Sequence, residues 1–438
     1  MTAMETPTRT FRHGVHPPEN KHTRGLAIQR MPFVETYVMP LSQHIGAPAK
    51  VCVKPGQRVS RGQIIGKPGG FISSAIHAPV TGRVVAIEKR PHPIGSMMDS
   101  VIIRTDSFDA QLVPEQSILP KNRNDLIRLV QEAGIVGLGG AAFPSHVKLS
   151  VPEGKKASHV IINGCECEPY LTCDHRLMLQ RPEAVINGLR IIMDQVGAGS
   201  GGIGIERNKA DAIEVLKQHL QPGMSVYPLE VKYPQGAEKL LIDTVLQKEV
   251  PAGGLPIDIE LVSYNVGSAV AISDLLTHGM PLIERIVTVT GPCVARPANL
   301  IVPVGTPVRD VFEFCGVDTN RLQSLIMGGP MMGSSQKTIN IPIIKGTSGL
   351  LCLDRVQTID KQEMPCIRCG RCLEACPMFL NPSRLAQMTR AEMVGELSAH
   401  HILNCFECGA CSFVCPSHIP LVHLIRVGKG LVKQKNYG

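Results

Sequence analysis

The sequence predicts a multidomain protein of class α/β plus β that ends in a helical, cysteine-rich unit. Three observations carry this reading. Strand-and-turn runs fill residues 31–110, helix and strand signals alternate over 115–284, and one cysteine spacing occurs twice within 356–438. At roughly 100–200 residues per domain, 438 residues hold two to four domains. A hydrophobic share of 43% belongs to a globular chain. The net charge of +8 is scattered, with no basic block interleaved with aromatics, so no nucleic-acid partner is expected. No run reaches ~18 apolar residues, so no transmembrane segment is expected. The opening "MTAMETPTRTFRHGVHPPENK" has no apolar stretch of signal-peptide type. The expected place is therefore the cytoplasm or the cytoplasmic side of a membrane. Thiols stay reduced there, and paired Cys read as metal or cluster ligands before disulfides.

Residues 1–30 are polar and Pro-rich and read as an extended arm, a candidate docking element around His16–Lys21. Over 31–110, "AKVCVKPGQRVSRGQIIG" (Ala49–Gly66) and "HAPVTGRVVAIEKR" (His77–Arg90) alternate as strand, Gly turn and strand. His77 reads as a satisfied loop histidine. From Asn124, "NDLIRLVQEAG" reads as a helix with apolar Leu126, Leu129 and Val130 on one face. "SHVIING" (Ser158–Gly164) and "GGIGIE" (Gly201–Glu206) read as buried strands. "RPEAVINGLRIIMDQVGA" (Arg181–Ala198), with Pro in its first turn, and "NKADAIEVLKQHL" (Asn208–Leu220) read as helices. Alternation of this kind implies an α/β sheet. Residues 285–350 read as a small β-grasp unit.

The final unit holds "CIRCGRCLEAC" (Cys366–Cys376) and "CFECGACSFVC" (Cys405–Cys415), each followed by Pro. In C-x2-C-x2-C-x3-C-P, three thiolates take corners of one [4Fe–4S] cluster and the fourth ligates the other cluster. That rule assigns Cys366, Cys369, Cys372 and Cys415 to a first cluster, and Cys405, Cys408, Cys411 and Cys376 to a second. Zinc is the alternative, but its sites usually pair two C-x2-C units around one ion. Of the other seven Cys, Cys52, Cys293, Cys315 and Cys352 lie in apolar runs and read as core residues. Cys165, Cys167 and Cys173 read as reduced loop thiols. The pairs Met97–Met98 and Met331–Met332 read as packing.

Clusters move single electrons, and two loops upstream suggest their source. "GIVGLGGAAFPSHVK" places Gly137, Gly139 and Gly140 where backbone can approach a flat or phosphate-bearing ligand. "IINGCECEPYLTCDHRLM" ends a buried strand at Asn163 and sets Glu166 and Glu168 beyond it, where carboxylates can accept from ribose hydroxyls or an amide.

In order, "GLGGAAFPSHVK", "NGCECEP", "YPQGAEKLL" and "YNVGSAVAISDLL" resemble the four flavin-site motifs of the FMN- and NADH-binding subunit of respiratory complex I. That resemblance implies FMN contacts at Gly139, Gly140, Lys148, Asn163, Asn265 and Ser268. It implies NADH contacts at Phe143, Glu168 and Glu238, with both glutamates ionised and Lys148 the positive charge near phosphate or ring. Cys165, Cys167, Ala237 and Tyr264 depart from its pattern. "APVTGRVV" (Ala78–Val85) resembles biotinyl/lipoyl carriers, but "FISSAI" (Phe71–Ile76) carries no lysine to modify, so a structural or docking module is expected. With the SLBB-type β-grasp unit and the double ferredoxin repeat, the chain is similar to the RnfC family, peripheral NADH-oxidising subunits of Rnf complexes. The resemblance implies hydride transfer from NADH to FMN with no catalytic side chain required, two [4Fe–4S] clusters, and a place on the cytoplasmic face of the inner membrane. The implied partners are the membrane and peripheral subunits of an Rnf-type complex, and ferredoxin through them. A soluble flavin cobalamin reductase or an electron-transfer adaptor without flavin are the competing readings.

Overall fold

The structure is a computed structural model that describes residues 9–358 and 362–437. The first eight residues of the arm and three residues preceding the cysteine repeats lie outside it. The expected β-sandwich is present. Strands Thr36–Pro40, Met97–Thr105, Gly82–Pro91 and Arg58–Val59 form an antiparallel sheet in that order, and Lys50–Val51, Ile64–Lys67 and Ile76–His77 form a second. Between them pack Tyr37, Met39, Ile65, Val84 and Ile103. At Gly82 a Cβ would stand 2.2 Å from the Arg104 carbonyl oxygen, so the strand pair needs glycine there. The loop where carriers place their lysine instead docks onto the next domain. His146 Nε2 meets the Phe71 carbonyl at 2.7 Å, and Gln131 Nε2 donates to the Ser73 carbonyl at 3.1 Å. Two expectations fail here. His77 is a buried strand residue whose Nδ1 has no hydrogen-bond partner, and burial pushes its pKa down to about 3. Cys52, which follows strand Lys50–Val51, is exposed.

The α/β domain is built on a parallel sheet ordered Met224–Leu229, Ser200–Glu206, His159–Asn163 and Leu261–Asn265. Val160, Ile161 and Ile162 are fully buried in succession, as a strand covered on both faces requires. Each such side chain contributes roughly 1.5–3 kcal/mol by leaving water. Helix Arg123–Glu132 starts at Asn122, whose side chain accepts from the Asp125 N–H. Pro182–Val196 begins with proline and ends at the left-handed Gly197. It packs closely on Val266–His278: a Cβ on Gly188 would lie 2.1 Å from the Ala269 oxygen.

The β-grasp unit has six strands, ordered Ile28–Arg30, Ala298–Pro303, Glu284–Thr290, Gly349–Leu353, Ser324–Met327 and Ser334–Gln336. Its outer strand comes from the arm and pairs in parallel with Ala298–Pro303. The cluster unit is helical. Pro382–Arg390, Val394–Ala399 and Leu421–Tyr437 enclose Leu385, Leu397, Ile402 and Ile425.

The arm, expected as an extended segment and a candidate docking element, is built into the molecule. Arg9 bridges to Leu229 and Val15 to Tyr233, His13 Nδ1 contacts the Glu374 carbonyl at 2.6 Å, and Thr23 meets Thr172 at 2.5 Å. It thereby ties the α/β, β-grasp and cluster units together. Among the described residues, no helix is long and apolar enough to cross a membrane.

Candidate functional site

Two neighbouring parallel strands end in register at Asn163 and Asn265. Beyond the carboxyl ends of such strands lies the usual ligand crevice of an open α/β sheet. Here that crevice widens to a cavity of about 1370 Å³, bordered by Gly139, Gly140, Asn163, Glu166, Glu168, Glu238 and Asn265. Its size exceeds the ~300–1,000 Å³ typical of a pocket for one ligand. A flat cofactor and a dinucleotide together fit such a space.

Seven of the eleven sequence-predicted binding residues face this cavity; Gly137, Phe143, Lys148 and Ser268 do not line it. Three of those four shape the glycine loop from behind. The Gly137 N–H donates to the Phe143 carbonyl at 2.7 Å, and the Leu138 N–H to Ser268 Oγ at 2.9 Å, while Ser268 Oγ donates to Val136 at 3.2 Å. The loop is left open toward the cavity. Gly140 has φ +107°, and a Cβ there would meet nothing within 4 Å. Lys148 does not stand free for a phosphate: its ammonium pairs with Glu238 at 2.6 Å and donates to the Ser263 carbonyl at 3.0 Å.

The acidic loop is shaped from three directions. Glu166, at φ +47°, accepts from the Asp174 and His175 N–H groups at 2.7 and 3.2 Å, capping helix Cys173–Gln180. From the arm, Lys21 Nζ donates to the carbonyls of Glu166, Glu168 and Leu171 at 2.5–2.9 Å. From the β-grasp unit, the Met331 and Met332 N–H groups reach the Glu168 carboxylate at 3.0 and 2.7 Å. Burial nevertheless pushes Glu168 up to about 7, outweighing those two donors. Sequence expects an ionised Glu168, and burial instead favours its neutral form. Burial also raises Asp174, with the Glu166 charge adding to the rise, while Asn265 Nδ2 donates to it at 2.6 Å. Ligand atoms of Glu166, Cys173 and Asp174 lie within 4.8 Å of one another. Both Glu166 oxygens and Asp174 Oδ2 are met by N–H donors, and Glu166 serves as the cap of helix Cys173–Gln180.

Cys165 points toward the Gly204 carbonyl, and Cys167 Sγ accepts from the Gly236 N–H at 3.4 Å. Sequence reasoning missed Asp174, Tyr233 and the whole opposite wall: Ser42–Ile45 and Pro91–Met97 of the sandwich, and the β-grasp loop holding Met332. Met97 and Met332, read as packing, are 55% and 46% exposed at that wall.

A second, smaller pocket is lined by Cys376, Cys405, Cys408 and Cys411, the set given by the crossing rule. Burial raises all four thiols, as expected for ligands whose thiolates are stable only when coordinated. Cys372 and Cys415 pack around one small apolar cluster, and Cys366 and Cys369 are exposed. The residues present fit two clusters, one enclosed and one near the surface. Met378, Cys405, Phe406 and Glu407 line both the large cavity and the second pocket.

Sequence-family models match in the same order as these units. An RnfC barrel sandwich hybrid domain covers residues 9–108, and a Nuo51 FMN-binding domain 130–274. An SLBB domain covers 286–334 and a 4Fe-4S dicluster domain 364–419. The RnfC-type component of the Na(+)-translocating ferredoxin:NAD(+) oxidoreductase complex of Acetobacterium woodii is 41% identical, over 98% of both chains. Its counterpart in the proton-translocating ferredoxin:NAD(+) oxidoreductase complex of Clostridium ljungdahlii is 42% identical over 90% of this chain and 88% of that protein. The counterpart in an ion-translocating oxidoreductase complex of Rhodobacter capsulatus is 38% identical over 97% and 84%. One polypeptide of an NAD+-reducing [NiFe]-hydrogenase shares the fold, with TM-score 0.52 and 17% identity over 72% of this chain and 63% of its own. The chain belongs to the RnfC family, components of ion-translocating ferredoxin:NAD(+) oxidoreductase complexes.

Proposed function

We propose that this chain is the reversible NADH-oxidising subunit of a membrane-bound NAD:ferredoxin oxidoreductase, seated on the cytoplasmic face of the membrane and working with the other subunits of an Rnf-type complex. The observation that carries the reading is the shared wall, Met378 and Cys405–Glu407, between the nucleotide-sized cavity and the second cysteine pocket. When bound in the cavity, FMN supplies a hydride acceptor for NADH and a one-electron donor to iron–sulfur clusters. The chain's part is to place and tune these groups.

Gly139 and Gly140 let backbone approach the cofactor. The side chain of Asn163 is oriented by the Gly236 carbonyl and the Cys165 N–H, and that of Asn265 by Asp174 and the Gly267 N–H, so both present set edges to the cavity. Glu238 is steered by Lys148, and Glu166 keeps the loop in shape from its cap position. Glu168, poised near neutral pH, can hold or release a proton at its carboxylate beside the site. The second thiolate set adjoins the cavity and the first reaches the surface, an order that suits a path from nucleotide to partner protein.

The test is to purify the chain with iron and sulfide restored, then measure bound FMN and NADH-dependent reduction of a one-electron dye. One FMN per chain and dye reduction abolished by removing the flavin are expected. Intact clusters with neither flavin nor NADH activity would leave an adaptor and overturn the proposal.

A further inference from the structure

Tyr233 opens one of the flavin-type motifs and also reaches the second cysteine set, a contact the motif does not account for. Its side chain is 1% exposed yet borders the large cavity. Its hydroxyl donates to the carbonyl of Cys408, a ligand of the second cysteine set, at 2.7 Å. Its backbone is gripped by the arm: Val15 N–H to Tyr233 O and Tyr233 N–H to Val15 O are both 2.9 Å. Around the ring lie Cys408, Ala375 and Ala410, with half-buried Met331 and Phe406.

Met331 completes the contact from the other side. Its N–H holds the Glu168 carboxylate, and its carbonyl lies where a Cβ on Gly409 would stand 2.7 Å away, next to Cys408 and at φ +80°. The loop Cys405–Cys411 is thus pressed against the cavity wall by one backbone contact and one phenolic hydrogen bond.

We propose that Tyr233 is a positioning residue, seating the Cys405–Cys411 loop against the nucleotide cavity and raising the reduction potential of the cluster that loop holds. This rests on the reading that the cavity binds FMN and the cysteines bind clusters. The phenolic O–H donates to the backbone carbonyl of a cluster ligand, placing a hydrogen-bond dipole beside the cysteine set. An added electron is stabilised by such a dipole, and hydrogen bonding near the ligands is a known lever on cluster potential. Without it, a buried carbonyl on a cluster ligand is left unpaired.

The test is Tyr233→Phe in the full chain with FMN and both clusters restored, followed by an EPR redox titration. The cluster lost in Cys405→Ala identifies the second signal. Its reduced-to-oxidised ratio at a set potential should fall at least threefold, about 28 mV for a one-electron couple. The first cluster should titrate as in wild type, and reoxidation of the flavin through the clusters should slow more than its bleaching by NADH. Loss of second-cluster iron alone, with flavin and first cluster kept, also supports the seating role. Wild-type titration of both clusters, a shift of both together, or loss of flavin with both clusters overturns it. If the wild-type chain itself neither binds FMN nor is bleached by NADH, the functional reading fails instead, and the two failures are told apart.

Discussion

Cys376→Ala tests the crossed wiring of the two repeats. In sequence, Cys376 closes the first run. In space, it lines one pocket with Cys405, Cys408 and Cys411, and it is 8% exposed. Burial pushes Cys408 and Cys411 up to about 12, with neighbouring thiols, Cys376 among them, adding to the rise. Cys376 also faces Cys372 of its own run, so both wirings are physically available and the experiment decides between them. Each cubane holds roughly four irons, so the loaded chain should carry about eight and the variant about four. The retained cluster should be the one built on Cys366, Cys369, Cys372 and Cys415. The assay is iron and sulfide content together with EPR of the reduced protein, run beside Cys366→Ala. The two variants should each lose half the iron and show complementary spectra. If both lose the same signal, the repeats are wired each within itself and the crossing is wrong.

Two further outcomes follow from named contacts. Lys345 is fully buried, donates to the Ala75 and Gly134 carbonyls at 2.6 and 2.7 Å, and is pushed by burial from 10.5 down to about 7. Between those values the unfolded chain binds one more proton than the folded one. Wild-type stability should therefore rise with pH by about 1.4 kcal/mol per unit from this group, with the cost of burying the charge fully present below pH 7. Neighbouring His77, held neutral, adds nothing there. Lys345→Met should flatten that rise in denaturant melts taken between pH 7 and 10, and parallel profiles for the two proteins refute it. Gly140→Val puts a branched side chain at φ +107°, straining the backbone by about 1–3 kcal/mol and projecting into the cavity. FMN retention should drop at least tenfold with iron content unchanged, and full flavin occupancy counts against the glycine loop as the flavin seat.

Patterns confined to a few neighbouring residues were readable from sequence. The cysteine runs, the glycine loop and the buried strand at His159–Asn163 declare themselves by spacing and apolar periodicity. What was not readable depends on partners far along the chain. Glu168 is pushed up by burial in the folded chain, and the N–H groups that oppose that rise come from a β-grasp loop more than 160 residues later. Lys148 looks free in sequence and is claimed by Glu238, 90 residues on. Tyr233 sits inside a flavin-type motif, and nothing local points it at Cys408, 175 positions away. Asp174 joins the site only because helix Cys173–Gln180 starts beneath Asn265.

The arm has a consequence for how the molecule is made. Its contacts span 361 positions to Glu374, 276 to Asn299 and 147 to Glu168. A segment synthesised early can therefore complete its contacts only after the first cysteine repeat has left the ribosome. Closing contacts of such separation is slow, and the interfaces they cover stay exposed meanwhile. The last contacts of the arm should thus form late, against domains already folded. Chaperone dependence and misassembly would then concentrate in that last step, and a bulky fusion placed ahead of residue 9 would hinder maturation more than one after residue 437.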